Sequence, residues 1–348
     1  MIKNKIFIIA EAGVNHNGNI NLAYKMVDEA KKAGVDCIKF QTFKTEKIIT
    51  KDAKKAEYQE KNTENKETQY EMLKKLELTY DEFKKLKKYC EEKEIMFLST
   101  PDEEESLNFL IDELNMEIIK IGSGEISNYI YLEKIAQKNK PIILSTGMST
   151  LGEVEKALEI IKKYNNQKIT LLHCTTNYPC PIEEVNLSAM LTLKEAFKLD
   201  VGYSDHTLGI EIPIAATALG ATVIEKHFTL DKNLDGPDHK ASLDSLELTK
   251  MVEAIRNIEK ALGNGIKQPN ASENKIKEVV RRKIIIFKNL KKGHILKEED
   301  LIFKRSNNGI EAEFYKIIIG KKIKRDLKEE TIISWDDLEW EWEKKYVL

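Results

Sequence analysis

The sequence predicts an α/β protein: a closed parallel (β/α)8 TIM barrel followed by a small C-terminal β-rich domain. Three observations carry that prediction. Eight short apolar runs recur across residues 6–229, stretches of helical periodicity separate them, and nearly every run ends in residues suited to chemistry. Apolar runs of this length read as strands buried on both faces, as a parallel sheet with helices outside and packed side chains within requires. In such a barrel the C-terminal strand ends share one mouth, where active sites of this fold lie.

The runs are IFIIAEAG (6–13), CIKFQT (37–42), IMFLSTP (95–101), IIKIGSGE (118–125), PIILSTG (141–147), ITLLHCTT (169–176), VGYSDHT (201–207) and TVIEKHFT (222–229). NLAYKMVDEAKKAG before the second and TLGEVEKALEIIKKY before the sixth repeat apolar residues at helical spacing. The strand ends offer Glu11, Lys39, Gln41, Thr100, Lys120, Ser123, Ser145, His173, Ser204, His206, Glu225 and His227. After the second run, the polar stretch 44–70 is longer than an ordinary βα loop. It reads either as a lid or binding loop, or as a solvated excursion with one helix. Gly122-Ser123-Gly124-Glu125 offers backbone amides for an anion.

The barrel pattern closes with a helix over 243–263, giving a catalytic domain at 1–263. Residues 264–280, rich in Asn, Gly, Ser and Lys, read as a linker. A second domain is expected at 281–341, where NLKKGHILKEEDL (289–301) is echoed by DLKEETIISWDDL (326–338). Such an echo predicts a pseudo-symmetric module of two related turns.

Charge argues against nucleic acid as a partner, because 56 basic and 58 acidic residues nearly cancel. No apolar run is long enough to span a bilayer, and no membrane partner is expected. Cys37, Cys90, Cys174 and Cys180 are scattered without metal-type spacing, which fits a reduced, cytoplasmic protein. Cys174, beside a strand end, is a conceivable thiol nucleophile.

His206 and His227 close adjacent strands of a closed barrel, so both imidazoles can converge above the mouth. That suits a borderline divalent metal such as Mn, Zn, Co or Fe, with water or substrate oxygen completing the shell. Two unrelated hydrogen-bonding histidines are the plainer alternative. Lys39 and Lys120 sit within apolar strands, where an unpaired charge is costly. Three readings stay open for them. They bind a phosphate- and carboxylate-bearing ligand with Thr100, Ser123, Ser145 and Ser204; one forms a Schiff base; or they pair with Glu11 or Glu225 for structure alone. Asp238, past the last strand, can hold a substrate hydroxyl or amide. His239 beside it is a possible third metal ligand or a solvated loop residue.

EAGVNHNG, KFQTF, FLSTP, KIGSGE, ILSTGM, LLHCTTNYP, GYSDHTLG, IEKHFT and GPDHKASL follow one another in this order. Together they resemble the sialic acid synthase family. LKKGHILKEEDLIFKRSNNGI resembles the family's C-terminal antifreeze-like (SAF, β-clip) domain. The resemblance runs from about residue 6 to residue 338. It implies an enzyme that condenses phosphoenolpyruvate with an N-acetylated mannosamine-type sugar and water to a nine-carbon 2-keto-3-deoxy acid. N-acetylneuraminate is the first expectation, and legionaminate, made from 2,4-diacetamido-2,4,6-trideoxymannose, is the alternative. A pyruvate Schiff-base aldolase and a non-catalytic carbohydrate-binding barrel are the rivals from other classes.

Carried over residue by residue, the resemblance implies metal binding by His206 and His227, with Mn2+ first and Mg2+ or Co2+ as alternatives. It assigns Lys39, Thr100, Lys120, Ser123, Ser145 and Ser204 to phosphoenolpyruvate. Glu11, Gln41, Tyr178 and Asp238 fall around the amino sugar, and either Glu11 or Glu225 handles the water proton. It also implies a domain-swapped homodimer in which Arg305 reaches the partner's sugar site. Two departures from the family pattern stand out: Ser306-Asn307 replaces a Pro-Gly after that arginine, and Thr176 stands where some members carry Asn.

Overall fold

The computed structural model describes residues 5–56, 59, 60, 63, 67–164 and 168–340. The expected outer limits of the two domains, residues 1 and 341, fall outside these, as do residues 57, 58, 61, 62 and 64–66 of the long stretch after the second run. The chain divides into two compact units, Met1–Asn264 and Gly265–Leu348.

Each of the eight apolar runs is a strand: β1 (Phe7–Gly13), β2 (Cys37–Thr42), β3 (Met96–Pro101), β4 (Ile119–Ile121), β5 (Ile142–Ser145), β6 (Ile169–His173), β7 (Asp200–Asp205) and β8 (Val223–His227). They form one sheet in the order β3-β2-β1-β8-β7-β6-β5-β4, and every pairing is parallel. β3 and β4, at the two ends of that order, also lie against each other, so the sheet closes on itself as an (β/α)8 barrel does.

Local sequence explains the helices between strands. Residues 20–33 bury Ala23, Met26, Val27, Ala30 and Ala33 at helical spacing, and the helix stops at Gly34, which adopts φ 81°. Thr79 with Glu82, Thr150 with Glu153 and Asp244 with Glu247 form capping boxes that start three others. Gly202 on β7 is required by packing: a Cβ there would lie 2.3 Å from the Val223 carbonyl oxygen. The stretch after β2 is more than a solvated excursion. It carries short helices at Thr45–Ile48 and Gln69–Leu76, and Phe43, Met72 and Leu76 join Val14 in a small core of their own.

The second unit opens with a helix rather than a plain linker, Ala271–Val280, started by a capping box of Asn270 and Glu273. β9 (Arg282–Ile286) and β10 (Leu301–Arg305) pair antiparallel over a separate core that includes Ile284, Ile286, Leu296, Ile318 and Ile333. The internal echo is structural. Leu290 and Leu327 bridge one another, and each copy ends in a one-turn helix braced by a buried aspartate. Asp300 accepts from the Lys297 amide at 2.9 Å and Asp337 from the Ser334 amide at 3.0 Å.

Candidate active site

The barrel mouth holds a cavity of about 180 Å3. Glu11, Lys39, Gln41, Thr100, Lys120, Ser123, Ser145, Tyr178, Ser204, His206, Glu225 and His227 line it. Alternation along the strands explains the convergence: Ser204 on β7, and Glu225 and His227 on β8, point into the lumen, while the residues between them face outward. A register shift between Glu11 and Gly13, with Gly13 at φ 51°, interrupts the β1–β2 ladder. A Cβ on Gly13 would approach Glu11 Oε1 to 3.3 Å, so the glycine leaves room for that carboxylate.

Two lysines and two carboxylates form the floor. Lys39 Nζ lies 2.6 Å from Glu11 Oε2 and 3.7 Å from Glu225 Oε2, and Lys120 Nζ lies 3.6 Å from Glu225 Oε1. Hydroxyls complete the frame: Lys39 donates to Thr100 at 3.2 Å, Lys120 to Ser145 at 2.7 Å, and Ser204 to Glu225 at 2.9 Å. All four charged groups are buried. Burial works against the charge of Lys39, yet Glu11 and Glu225 hold it above the ordinary lysine value. Burial pulls Lys120 below that value, with Glu225 offsetting only part.

The two carboxylates part company. Burial pushes Glu11 up to about 8 against the pull of Lys39. Burial acts on Glu225 too, but Lys120, Lys39 and the Ser204 hydroxyl bring it down to about 2. Glu225 therefore stays ionised, while burial favours the protonated form of Glu11.

His206 and His227 stand with ring centroids 5.6 Å apart, and Tyr178 packs 4.1 Å from the first and 5.5 Å from the second. Burial holds both imidazoles below their ordinary value, and His206 adds to the effect on His227, so both are neutral. His206 Nδ1 lies 2.6 Å from the Thr175 carbonyl oxygen, which assigns its proton there and leaves the Nε2 lone pair free. Behind them, the outward-facing cross-strand partners Asp205 and Lys226 form a fully buried ion pair at 2.5 Å that ties the two strand ends together. No group of three or more His, Cys, Asp or Glu is placed to hold a metal among the described residues. What the mouth offers is this pair of neutral imidazoles, with Glu225 Oε2 and His227 Nδ1 buried and lacking a hydrogen-bond partner. Orphaned polar atoms of this kind belong where a ligand completes them.

Two expected residues lie outside the lining. Asp238 is buried beyond β8, and burial pushes it up to about 6. Arg305 ends β10 in the second unit, exposed and without an ion pair among the described residues. His239 is neither solvated nor available to a metal: it is fully buried, with Nδ1 2.7 Å from Thr229 Oγ1 and Nε2 3.1 Å from Asn17 Oδ1. Cys174 does line the cavity, but burial pushes its thiol up, away from the thiolate a nucleophile needs. Asp102, one residue past β3, also lines the cavity and lies outside every sequence motif. Its place just beyond a strand end is the one signal the sequence carries for it.

Comparison with known proteins decides the family. The NeuB family pattern matches residues 26–267, and a SAF domain matches residues 281–339. The chain belongs to the NeuB family. These are the sialic, legionaminic and pseudaminic acid synthases, nonulosonic acid synthases that form a carbon–carbon bond from phosphoenolpyruvate. Among NeuB relatives, the chain is 54% identical over 331 residues to the N,N'-diacetyllegionaminic acid synthase of Campylobacter jejuni, spanning 94% of this chain and 99% of that protein. It is 46% identical over 337 residues to the enzyme of the same name from Legionella pneumophila, spanning 96% and 94%. The crystal structure of an N-acetylneuraminic acid synthetase from Leptospira borgpetersenii superposes with a TM-score of 0.70 at 40% identity, covering 79% of this chain and 91% of that one. None of the helices among the described residues is long and apolar enough to cross a membrane.

Proposed function

We propose that this NeuB-family enzyme is an N,N'-diacetyllegionaminic acid synthase. It would join phosphoenolpyruvate to 2,4-diacetamido-2,4,6-trideoxymannose and water, releasing phosphate. The observation that carries the choice of sugar is the identity of 54% and 46%, over nearly the whole chain, to two proteins of that name. It displaces N-acetylneuraminate, the first expectation from the motifs, in favour of the alternative.

The geometry supports the chemistry. Lys39 and Lys120, with Thr100, Ser123, Ser145 and Ser204, suit the phosphate and carboxylate of phosphoenolpyruvate: buried cations and hydroxyls aimed at one small cavity hold charge without reorganising. Carbon 3 of phosphoenolpyruvate attacks the sugar aldehyde carbon, and the new bond leaves carbon 2 electron-poor. Water adds there and loses a proton, and the tetrahedral adduct collapses by breaking the bond between carbon 2 and the phosphate oxygen. Glu11 is the group to move a proton, since burial holds its carboxyl above the usual carboxylate range whereas Glu225 stays ionised and holds both lysines. Lys120 is committed to Ser145 and Glu225, so no covalent amine is called for. A divalent ion at His206 and His227, Mn2+ ahead of Mg2+ or Co2+, supplies Lewis-acid polarisation of the aldehyde when bound. Gln41 and Tyr178 in the cavity, and Asp238 beyond it, are assigned to the sugar.

The working unit in this reading is a domain-swapped homodimer in which Arg305 completes the partner's sugar site. Its support is the family resemblance around FKRSNNG and the exposed place of Arg305 at a strand end.

Steady-state assays with phosphoenolpyruvate and each sugar in turn test the substrate. The kcat/KM for 2,4-diacetamido-2,4,6-trideoxymannose should exceed that for N-acetylmannosamine by roughly tenfold or more, since the two differ at both carbon 4 and carbon 6 and a single changed group already discriminates on that scale. Equal or better use of N-acetylmannosamine would overturn the choice of sugar, and turnover of neither would overturn the function.

A further inference from the structure

Among the described residues, the side chain of Asp102 takes no part in holding the fold. It precedes the helix Glu104–Asn108, but the cap of that helix is Glu103, whose carboxylate accepts from the Ser106 and Glu105 amides. Its own carboxylate makes no hydrogen bond or ion pair among the described residues. The other carboxylates of the cavity differ, since Glu11 and Glu225 are each held by a lysine. Leaving a carboxylate half-buried and unpaired is costly unless something else offsets it.

The backbone that carries Asp102 is nonetheless fixed from both sides. Its amide donates to the Thr42 carbonyl at 3.1 Å, continuing the β2–β3 register in which Gln41 faces Thr100. The Tyr131 hydroxyl reaches the carbonyls on either side of it, Pro101 at 2.9 Å and Glu103 at 3.1 Å. A free carboxylate on a braced backbone, at the rim of a cavity, is an arrangement prepared for a ligand.

Charge says which part of the ligand. A carboxylate set against the phosphate or carboxylate of phosphoenolpyruvate would repel it, so its natural complement is a neutral donor, an N–H or O–H. Of the two substrates only the amino sugar is neutral and rich in such donors. We propose that Asp102 is a specificity-determining residue of this cavity, its carboxylate accepting a hydrogen bond from an amide N–H or a hydroxyl of the acceptor sugar. The inference rests on the reading of the cavity as an amino-sugar site. Burial pushes Asp102 up to about 7 with Lys39 opposing, so capture of a donor favours the ionised form.

The test uses the full chain with Asp102→Ala and Asp102→Asn. KM is measured for phosphoenolpyruvate, 2,4-diacetamido-2,4,6-trideoxymannose and N-acetylmannosamine, and phosphoenolpyruvate binding by calorimetry. Asp102→Ala should raise KM for the preferred sugar roughly 10- to 100-fold, the worth of a hydrogen bond to a charged acceptor. Asp102→Asn, which keeps an acceptor oxygen, should fall between, and phosphoenolpyruvate binding should hold within about twofold. A rise in KM for phosphoenolpyruvate with the sugar untouched would overturn the proposal, as would unchanged kinetics in a folded variant or a fall in kcat with both KM values unchanged. In each of those cases the unmodified enzyme still turns over and the proposed function stands. An unmodified protein that uses neither sugar removes the function and this inference together.

Discussion

Turnover is expected to vanish when His206 or His227 is replaced by Ala, in a protein that remains folded. Both side chains sit at strand ends, with the surrounding ladder and the Asp205–Lys226 pair intact in either variant, so the barrel has no reason to collapse. Losing a residue that only orients a metal ligand costs roughly 10–100-fold in affinity or activity, and losing a ligand itself costs more. In the proposed reading two imidazoles hold the ion, so one substitution would leave a single one of them. Exhaustive chelation of the unmodified enzyme should abolish activity in the same way, and Mn2+ should restore it to the unmodified enzyme alone. Titration calorimetry with Mn2+ gives a second readout, with binding to the unmodified chain and loss in each variant. Full activity of a double variant after chelation would remove the metal from the account.

Complementation between two inactive chains is the other large effect. His206→Ala and Arg305→Ala, each made alone, should both be severely impaired. A planar guanidinium fixes a carbonyl or hydroxyl pair in a way a lysine cannot, so Arg305→Lys should rescue poorly. If Arg305 acts across a dimer, a mixed dimer carries one site with both groups intact, because the Arg305→Ala chain supplies His206 and its partner supplies the arginine. The other site lacks both. Random pairing of co-expressed chains in a symmetric dimer therefore recovers on the order of a quarter of full activity. If each arginine serves its own barrel, every site in the mixture lacks one group and the preparation stays inactive.

Much of this was legible in the sequence because the parallel barrel writes itself plainly. Strands buried on both faces read as unbroken apolar runs, and all eight runs became strands. Lumen-facing polar residues within or at the ends of those runs, such as Lys39 or His227, stand out because nothing in a packed core needs them. What escaped was set by tertiary context. His239 looks like a solvated loop residue, yet it is buried, with Thr229 on one ring nitrogen and Asn17, 222 residues away in the chain, on the other. Asp102 follows a motif without belonging to one, and only the structure shows that Glu103 takes the helix cap and leaves it free. The helix Ala271–Val280 hid in a polar stretch that reads as linker, although Asn270 and Glu273 spell its capping box. Of the readings the sequence kept open for Lys39 and Lys120, the structure shows the pairing with Glu11 and Glu225. The same lysines line the cavity, which is where the proposed function seats an anion.

In the proposed function, phosphoenolpyruvate joins the amino sugar with attack of water on carbon, not on phosphorus. Running the reaction in water enriched in heavy oxygen and weighing the released phosphate by mass spectrometry tests it most directly. The phosphate should keep its mass, because the oxygen that leaves with phosphorus comes from phosphoenolpyruvate. Heavy oxygen in the phosphate would contradict it.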